Sequence, residues 1–588
     1  MIFRTLALCL LLLAPTAQAA PDAKATAALH ALFDADYQRQ LREDPLGASY
    51  LGEDRYNDKM PDLSSPAMAA RQKAVRDSRQ TLLGIDRKAL SEADQLNYDI
   101  YLRELDQSIA GFRFHGEFMP VSHQGGVHTF ADGMLQGLRF EKAKDYSDWI
   151  ARLRAYGTYT DQTIALMRQG MASGWVQPKA IMQRVPAQIA GQIVAAPEDS
   201  ASYSPFKAMS ANVSASEQER LRAEAKAAVV DVVLPALKRF QSFFNEQYLP
   251  KCRDSVAAGE LPDGKAYYDF LARSYTTTDL SAAQIHEIGL KEVTRLRAEM
   301  EKIRVEVAFH GDQPAFFEYL RSDAKFHYND GAQLLMAYRA MAKRIDPELT
   351  RIFGTLPRAP YGVTPIPDAL APDTTTAYYN GGSTDGKRAG NYYVNLYKPE
   401  TRLIWEMLPL TLHESVPGHH LQISIANELP EQPMFRRLAG FTAYVEGWAL
   451  YAEQLGYDMG LYADPYDRMG QKAYEMWRAV RLVVDTGMHA QGWSRQQAID
   501  YFKANDPKSE HDITNEIDRY LATPGQALAY KIGQMKISEL RAKAKAKLGD
   551  NFDLRAFHDE LLGAGALPLS VLETRMNAWL DAQPAGAK

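Results

Sequence analysis

Apolar residues recur with helical spacing along almost the whole chain, and this periodicity constrains the fold more than any other feature. Segments 25–41 and 217–244 fit long helices, the first of which ends before Asp44 and Pro45. The capping boxes at 281–284 and 494–497 each open a further helix. The charged, alanine-rich segment 538–547 is typical of a solvated helix. The pattern predicts a mainly α fold.

The segment from residue 353 to residue 399 differs from the rest of the chain. It is rich in Pro, Gly, Thr and Tyr and contains few helix formers. Within it, residues 391–397 (NYYVNLY) cluster aromatic and β-branched side chains after Gly390, which predicts a strand. We therefore expect a small β segment between two helical halves.

The first 19 residues have the pattern of a secretory signal peptide. Arg4 supplies the positive charge of the n-region, and residues 17–19 (AQA) give a cleavage site. Between them, residues 6–13 form an apolar run that is shorter than the ~20 residues of a membrane span. Cys9 lies inside the apolar run, with almost no charged region before it, and we do not interpret it as a lipoprotein cysteine. The alternative is an uncleaved anchor. We expect cleavage after Ala19 and an exported bacterial protein, periplasmic or secreted.

The composition of the mature chain argues against a disulfide-stabilised, a nucleic-acid-binding or a membrane-spanning protein. Only Cys252 remains after cleavage, so no internal disulfide can form. The net charge of -6 gives no basic surface for nucleic acid. No second apolar stretch is long enough to span a membrane. The length suggests a helical N-terminal region at 20–255 and a catalytic region at 256–588, or one continuous fold.

The stretch LHESVPGHHLQ, residues 412–422, is the most informative motif. Zinc peptidases commonly carry HExxH on a helix, which places two imidazoles on one face and a glutamate beside them. Here the histidines after His413 are His419 and His420, at i+6 and i+7. On a regular helix i+6 is rotated by about 240°, and i+7 lies about 10.5 Å along the axis. Neither fits a zinc ion about 2.1 Å from each nitrogen.

Pro417 and Gly418 allow a local bulge, because proline removes a helix hydrogen bond and glycine accepts unusual dihedral angles. Looping out two residues would align His419 with His413, and looping out three would align His420. The alternative is that these histidines only cap a helix or lie on the surface.

A third candidate ligand lies downstream, on the apolar helix predicted at 441–453. Glu446 sits there among aromatic neighbours, where a carboxylate is costly unless it is paired or bound to a metal. Two His and a later Glu form a usual catalytic zinc set with one open position for water. The alternative is an ion pair between Glu446 and Arg478 or Arg481.

The sequence resembles the bacterial domain of unknown function 885 over nearly the whole mature chain. The resemblance is specific in six motifs: SYLGEDRYNDKMPDLS, GGSTDGKRAGNYYVNLY, HESVPGHHLQ, YVEGWALYAE, RLVVDTGMHAQGW and RYLATPGQALAYKIG. That family is grouped with the zincin-like metallopeptidases. The resemblance implies a zincin-like helical fold with the β segment beside the active-site helix, and hydrolysis of a peptide-like bond.

The sequence is also similar, more distantly, to the thimet oligopeptidase family. Its HEFGH motif places glycine directly before the second ligand, as Gly418 precedes His419 here, and dipeptidyl peptidase III has a similar lengthened motif. Its later V-E-x-x-x-x-x-x-E pattern is similar to the stretch from Val445 to Glu453. The resemblance favours His413, His419 and Glu446 as zinc ligands. His420 is then left to donate to the substrate or to the oxyanion.

These roles predict a mechanism in which Glu414 is the general base that takes a proton from a zinc-activated water. The oxyanion needs a further donor, for which Tyr530 and His489 are the candidates. By resemblance to zincins, residues 392–397 would pair with the backbone of an extended peptide substrate. Lys387 and Arg388 would bind a substrate carboxylate, unless they are ordinary solvated charges.

Three functions are compatible with the sequence. The first is a zinc peptidase acting on oligopeptides, and the second is a zinc amidohydrolase acting on a cell-wall-derived or other amide. The third is a metal-free binding protein on the same scaffold, which the presence of Glu414 disfavours because a binding scaffold needs no general base. The sequence contains no G-x-S-x-G motif of a serine hydrolase.

Overall fold

The structure, a computed structural model, describes residues 21–368, 370–383, 385–429 and 432–584. The predicted signal peptide, including Cys9, lies outside the described residues. Within them the protein is mainly helical, with one small sheet, as the sequence predicts. Each helix of this part of the chain is too short or too polar to cross a lipid bilayer.

The α-helices of the N-terminal half are α1 Ala23–Glu43, α2 Pro45–Tyr50, α3 Ser65–Leu83, α4 Glu92–Gly111, α5 Phe130–Met134, α6 Ala143–Ser173, α7 Lys179–Met182, α8 Val185–Gln192, α9 Ser204–Lys207, α10 Ala215–Ala228 and α11 Leu234–Phe243. Those of the C-terminal half are α12 Gly264–Thr276, α13 Ala282–Glu306, α14 Gln313–Ser322, α15 Gly331–Ile345, α16 Met407–Glu414, α17 His419–Asn427, α18 Met434–Arg437, α19 Thr442–Asp458, α20 Pro465–Ala490, α21 Arg495–Asn505, α22 Glu510–Ala522, α23 Ala529–Leu548, α24 Leu554–Leu562 and α25 Leu569–Ala582.

Local signals place several helix starts correctly. The capping boxes that open α13 and α21 are both formed. The long helix predicted at 217–244 is divided into α10 and α11 by a π-helical turn at Val229–Val233. The turn directly precedes the first residues of α11, where Pro235 has no backbone N–H to donate. The helical path therefore continues, with a local change of pitch.

Three strands form the sheet, in the order β1 (Tyr361–Pro365), β3 (Gly390–Val394), β2 (Ala377–Asn380). The strand β3 is parallel to β1 and antiparallel to β2. It ends earlier than predicted, because the side chain of Asn395 donates to the carbonyl of Ala371 and accepts from the amide of Tyr397.

The sheet order corrects one prediction about the substrate. Residues 392–394 belong to the central strand, whose two edges are already paired by β1 and β2. The backbone there has no edge left for a substrate, and residues 395–397 lie beyond the end of the strand. An outer strand of this sheet that can accept a peptide is β2.

The helix α16 lies at the centre of the C-terminal half. All eight of its residues are buried, and it packs against α15, α19, α20 and β2. The largest cluster of buried apolar residues contains side chains from both sides of residue 255, for example Trp149 and Tyr474. Cys252 is free and buried within the same cluster. A division near residue 255 therefore stays a prediction from the sequence alone.

The helices α19 and α23 approach each other so closely that only glycine fits at their crossing. A Cβ atom added to Gly533 would collide with the carbonyl of Ala443, and one added to Gly447 would collide with the backbone of Gly533. The crossing brings Glu446, the neighbour of Gly447, towards Tyr530, which lies about one turn before Gly533.

Candidate metal centre

The chain breaks between α16 and α17, at the position that the sequence predicts for a bulge. The first helix ends at Glu414 and the second begins at His419, with Ser415–Gly418 between them. The amide of His420 donates to the carbonyl of Ser415 (3.0 Å), and Trp448 Nε1 donates to the carbonyl of Pro417 (2.8 Å). These bonds fix the bulge against α19.

Gly418 permits the bulge because its backbone lies directly on the end of α16. A Cβ atom at this position would collide with the carbonyl oxygens of His413 and Leu412. The required feature is therefore the absence of a side chain.

We expect Gly418→Ala to lower the free energy of unfolding by about 1–3 kcal/mol, the usual cost of overpacking a buried site. The midpoint of urea unfolding would measure the loss. Gly191→Ala, in α8, is the matched control, because an added Cβ there meets no atom within 4 Å. If Gly418→Ala unfolded at the wild-type midpoint, the close approach of the bulge to α16 would be incorrect.

The bulge brings His413 and His419 together beside Glu446. Glu446 Oε2 lies 3.6 Å from His413 Nε2 and 3.3 Å from His419 Nε2. One nitrogen of each histidine and one carboxylate oxygen lie within 4.8 Å of one another. Both imidazoles are buried, at 2% and 8% exposure. The structure thus places three of the predicted metal ligands at one point.

His420 points away from this cluster. Its Nδ1 lies 2.8 Å from the hydroxyl of Tyr379, and its Nε2 lies 3.0 Å from the carbonyl oxygen of Ala359. Burial lowers the pKa of His420 to about 4, so the ring is neutral at neutral pH. Because both nitrogens are engaged by the protein, the predicted role of His420 as a donor to the substrate is not supported by its position.

The ion-pair alternative for Glu446 is also not supported. Arg478 pairs with Glu453 (3.3 Å) and Arg481 pairs with Glu516 (3.0 Å). Glu446 Oε2 is buried and lacks a well-formed hydrogen bond among the described residues. Burial would raise the pKa of Glu446, but the adjacent His419 and His413 outweigh this effect and hold it well below its usual value. The cluster therefore contains an ionised carboxylate oxygen directed at two imidazoles.

Glu453 lies behind the cluster and orients it. Its Oε1 accepts a hydrogen bond of 2.8 Å from His413 Nδ1, which leaves Nε2 of that ring to face Glu446. The backbone carbonyl of Glu453 accepts from the hydroxyl of Tyr462 (2.7 Å). A carboxylate on the far nitrogen of a histidine is typical of metal sites, where it fixes the tautomer and raises ligand basicity.

A cavity of about 300 Å³ opens on these residues. Its lining includes Glu414, Tyr530 and residues 377–379 of β2. Burial raises the pKa of Glu414, although His413 and His419 oppose this shift. Tyr530 lies with its ring 6.5 Å from that of His413, and its hydroxyl oxygen accepts from Gln526 Nε2 (3.3 Å). Its own proton remains available for donation.

His489, the other predicted oxyanion donor, is placed elsewhere. Its Nδ1 accepts from the amide of Ala258 (3.0 Å), and its Nε2 donates to the carbonyl of Tyr520 (3.0 Å). It lines a different cavity, beside Gly259 and Tyr268. With both nitrogens bonded to backbone groups, it is placed as a structural histidine, and its predicted catalytic role is not supported by its position.

Neither Lys387 nor Arg388 lines this cavity, although Arg388 lines an adjoining cavity of about 340 Å³. Lys387 pairs with Asp385 (2.7 Å), and the guanidinium of Arg388 donates to the carbonyls of Gly381 (2.9 Å) and Tyr50 (2.7 Å). These contacts tie the loop before β3 to the N-terminal region. Both residues are engaged by the protein, and the binding of a substrate carboxylate by them stays a prediction.

The sequence reasoning missed a set of charged residues in the cavity wall. The sequence predicts Arg478 and Arg481 only as possible ion-pair partners of Glu446, and it predicts no role for Glu516 or Arg519. Arg478, Arg481 and Glu516 are at most 3% exposed. A signal was present, since these charges stand on helices whose neighbouring positions are apolar and buried.

The fold and the site define a class of mainly helical protein in which a broken helix and one further helix hold a largely buried His–His–Glu cluster. This chain belongs to the family described as bacterial protein of unknown function (DUF885), whose model matches residues 45–576. None of the curated proteins matches the chain.

Solved structures also resemble it, among them two putative lipoproteins. The crystal structure of the putative lipoprotein from Colwellia psychrerythraea is 28% identical with a TM-score of 0.90, and the match covers 95% of this chain and all of that one. A putative lipoprotein of unknown function from Shewanella oneidensis is 18% identical with a TM-score of 0.67, covering 93% and 99% of the two chains. The second likeness shows the fold alone.

Proposed function

We propose that this protein is an exported zinc-dependent hydrolase of the zincin-like type, and that its substrates are peptides. The observation that carries the proposal is the convergence of His413, His419 and Glu446 beside Glu414, in a cavity of the protein. A protein that only bound a ligand would not need Glu414, because binding requires no general base.

The donor set fits zinc. Two imidazole nitrogens and one carboxylate oxygen are the ligands of many catalytic zinc sites, which keep a fourth position open. Ligands about 2.1 Å from a tetrahedral ion are about 3.4 Å apart, and Glu446 Oε2 lies 3.6 Å and 3.3 Å from the two nitrogens. The incomplete hydrogen bonding of that oxygen is what a ligand position would show without its ion.

The reaction follows from the positions of the side chains. When bound, zinc would polarise the scissile carbonyl and lower the pKa of a water molecule. Glu414 accepts the proton of the attacking water, and its raised pKa brings it closer to the operating pH of a general base. It then passes the proton to the leaving amine. The hydroxyl of Tyr530 donates to the carbonyl oxygen as negative charge develops there.

The substrate backbone would lie along β2. This strand lines the cavity, and it is an outer strand of the described sheet, so its unpaired edge can bind an extended peptide by β-augmentation. A second cavity, of about 340 Å³, adjoins the first because Ile423 and Val445 line both. The two cavities together offer a path for a chain of several residues.

Export is supported by two independent features. The first 19 residues have the sequence of a signal peptide, and the structural relative that is 28% identical is described as a putative lipoprotein. The predicted location is therefore the bacterial periplasm or the medium, where the protein would meet peptides.

Metal analysis tests the proposal most directly. We expect the purified protein to bind one zinc ion and to hydrolyse peptides in a mixed pool. We expect Glu446→Ala to bind zinc about 10²–10³-fold more weakly, because it removes one ligand from a site whose total binding free energy is about 10–16 kcal/mol. Asp458→Ala is the matched control, since this acid stands on the same helix but pairs with Arg541 (2.6 Å) outside the cavity. Zinc content near zero in the wild type after zinc addition would refute the proposal. Zinc binding with hydrolysis only of other amides would favour an amidohydrolase.

A further inference from the structure

Two arginines in the cavity wall share one carboxylate. Arg481 Nη2 lies 3.0 Å from Glu516 Oε2, and Arg519 Nη2 lies 3.1 Å from the same oxygen. The hydroxyl of Tyr520 also donates to this oxygen (2.8 Å). Two guanidinium groups therefore face one negative charge, and all of these groups except Tyr520 line the cavity. Arg481, Arg519 and Glu516 together therefore carry a formal charge of +1.

Arg481 carries a hydrogen-bond donor that has no acceptor in the described part of the chain. The side chain of Arg481 is 3% exposed, and its Nε donates to the hydroxyl of Tyr520 (2.7 Å). Its Nη1 is buried and has no hydrogen-bond partner in the described part of the chain. A buried charged donor without an acceptor is costly, and a guanidinium suits a carboxylate because the two groups match in geometry.

Other acidic groups close to Arg481 are committed elsewhere. Glu453 pairs with Arg478 and with His413. Asp485, one turn further along α20, accepts from the hydroxyl of Tyr268 (2.6 Å) and from the amide of Gly525 (3.1 Å). Neither carboxylate is within ion-pair distance of Arg481. Glu414 and Glu446 line the same cavity, but the ion pair that Arg481 forms among the described residues is with Glu516. A further acceptor for Arg481 would therefore come from outside the protein.

The free guanidinium lies a short distance from the metal cluster. The ring of Tyr530 stands between them, with its centroid 4.1 Å from Arg481 Cζ and 6.5 Å from the ring centroid of His413. Arg481 Cζ is thus at most about 11 Å from the His413 ring. An extended chain covers ~3.3–3.6 Å per residue, so a carboxylate bound at Arg481 would lie within one to three residues of a bond held at the cluster.

We propose that Arg481, supported by Arg519, binds the free C-terminal carboxylate of the substrate, so that the protein acts near the C-terminus of short peptides. This inference rests on the function proposed above and names its substrate class. A cavity of about 300 Å³ is at the lower limit for small-molecule sites, which agrees with a substrate end of a few residues rather than a continuing chain.

A pool of random tetrapeptides, prepared once with free C-termini and once as C-terminal amides, tests the inference. We expect the wild type with zinc to cleave the acids about a hundredfold faster at low substrate concentration, with the new C-terminus within three residues of the old one, as identified by mass spectrometry. Equal rates on the two pools would overturn the subsite and would leave the zinc hydrolase intact.

Arg481→Gln tests the residue itself. The acid-to-amide ratio of kcat/KM should fall from about a hundred to about one, mainly through a higher KM for the acids, while zinc content stays at one per chain. Arg519→Gln should lower the ratio less, since Arg519 acts through Glu516 and is a positioning residue. The matched control is Arg468→Gln, on the same helix, whose guanidinium pairs with Glu306 outside the cavity. An unchanged ratio in Arg481→Gln would assign the subsite elsewhere.

The two proposals fail in different ways. If the wild type cleaves neither pool, peptide hydrolysis fails, and the subsite is then tested by calorimetry with acetyl-trialanine and its amide. Tighter binding of the acid, lost in Arg481→Gln, would support the carboxylate subsite without catalysis. Equal binding of the two compounds, or no binding of either, would overturn it.

Discussion

Glu414→Gln is expected to lower the rate of peptide hydrolysis by about 10²–10⁴-fold while zinc content stays unchanged. The amide has the shape of the carboxylate but cannot take a proton from water. Glu414 is not among the three clustered donors, so the change should not remove a ligand. Single-turnover rates, measured beside zinc content by atomic emission, would show the effect.

The control for this variant is Glu428→Gln. Glu428 lies just after α17, and its carboxylate pairs with Arg358 (3.0 Å) away from the cavity. It should hydrolyse at close to the wild-type rate. Hydrolysis by Glu414→Gln at the wild-type rate would show that another group is the base. Loss of zinc in that variant would instead make Glu414 a ligand.

His419→Ala and His420→Ala are expected to fail differently. The first removes an imidazole nitrogen 3.3 Å from Glu446 Oε2 and should weaken zinc binding by about 10²–10³-fold. The second removes a ring bonded to Tyr379 and to the carbonyl of Ala359, so it should keep zinc. Its cost should appear as stability, since a buried acceptor is left unpaired at about 1–3 kcal/mol.

Competition of each variant with a chromophoric zinc chelator would measure the two affinities, and urea unfolding would measure the two stabilities. Since the residues are neighbours of one type, each serves as the control of the other. Loss of zinc in His420→Ala alone would mean that three residues loop out of the helix when the metal binds. Equal loss in both would indicate that the bulge itself had collapsed.

Much of the helical fold could be predicted because its signals are local. A capping box needs only four consecutive residues, and those at Ser281 and Ser494 both open helices. The break after Glu414 was likewise visible in the Pro-Gly pair. The order of the strands could not be predicted, because strand pairing joins segments that are distant in sequence. A sequence shows that β3 is a strand but does not show that it is the central one.

The candidate site divides in the same way. Glu414 could be named as the glutamate beside the first histidine of the motif, and Glu446 as a carboxylate among aromatic neighbours. Choosing between His419 and His420 required the path of the backbone through the bulge. The misplacement of His489 has a similar origin, because its two partners, the amide of Ala258 and the carbonyl of Tyr520, are backbone groups that no sequence pattern marks.

The glycine crossing of α19 and α23 has a consequence for how this protein can vary. At that point the two backbones are in direct contact, so their contact alone sets the distance between the helices. A smaller side chain cannot be substituted there to bring the helices closer. Any residue larger than Gly447 or Gly533 would push the helices apart and move Glu446 away from Tyr530. Such a change would alter turnover from a position that contacts neither the substrate nor the metal, and a second change elsewhere in the helix pair would be needed to restore it.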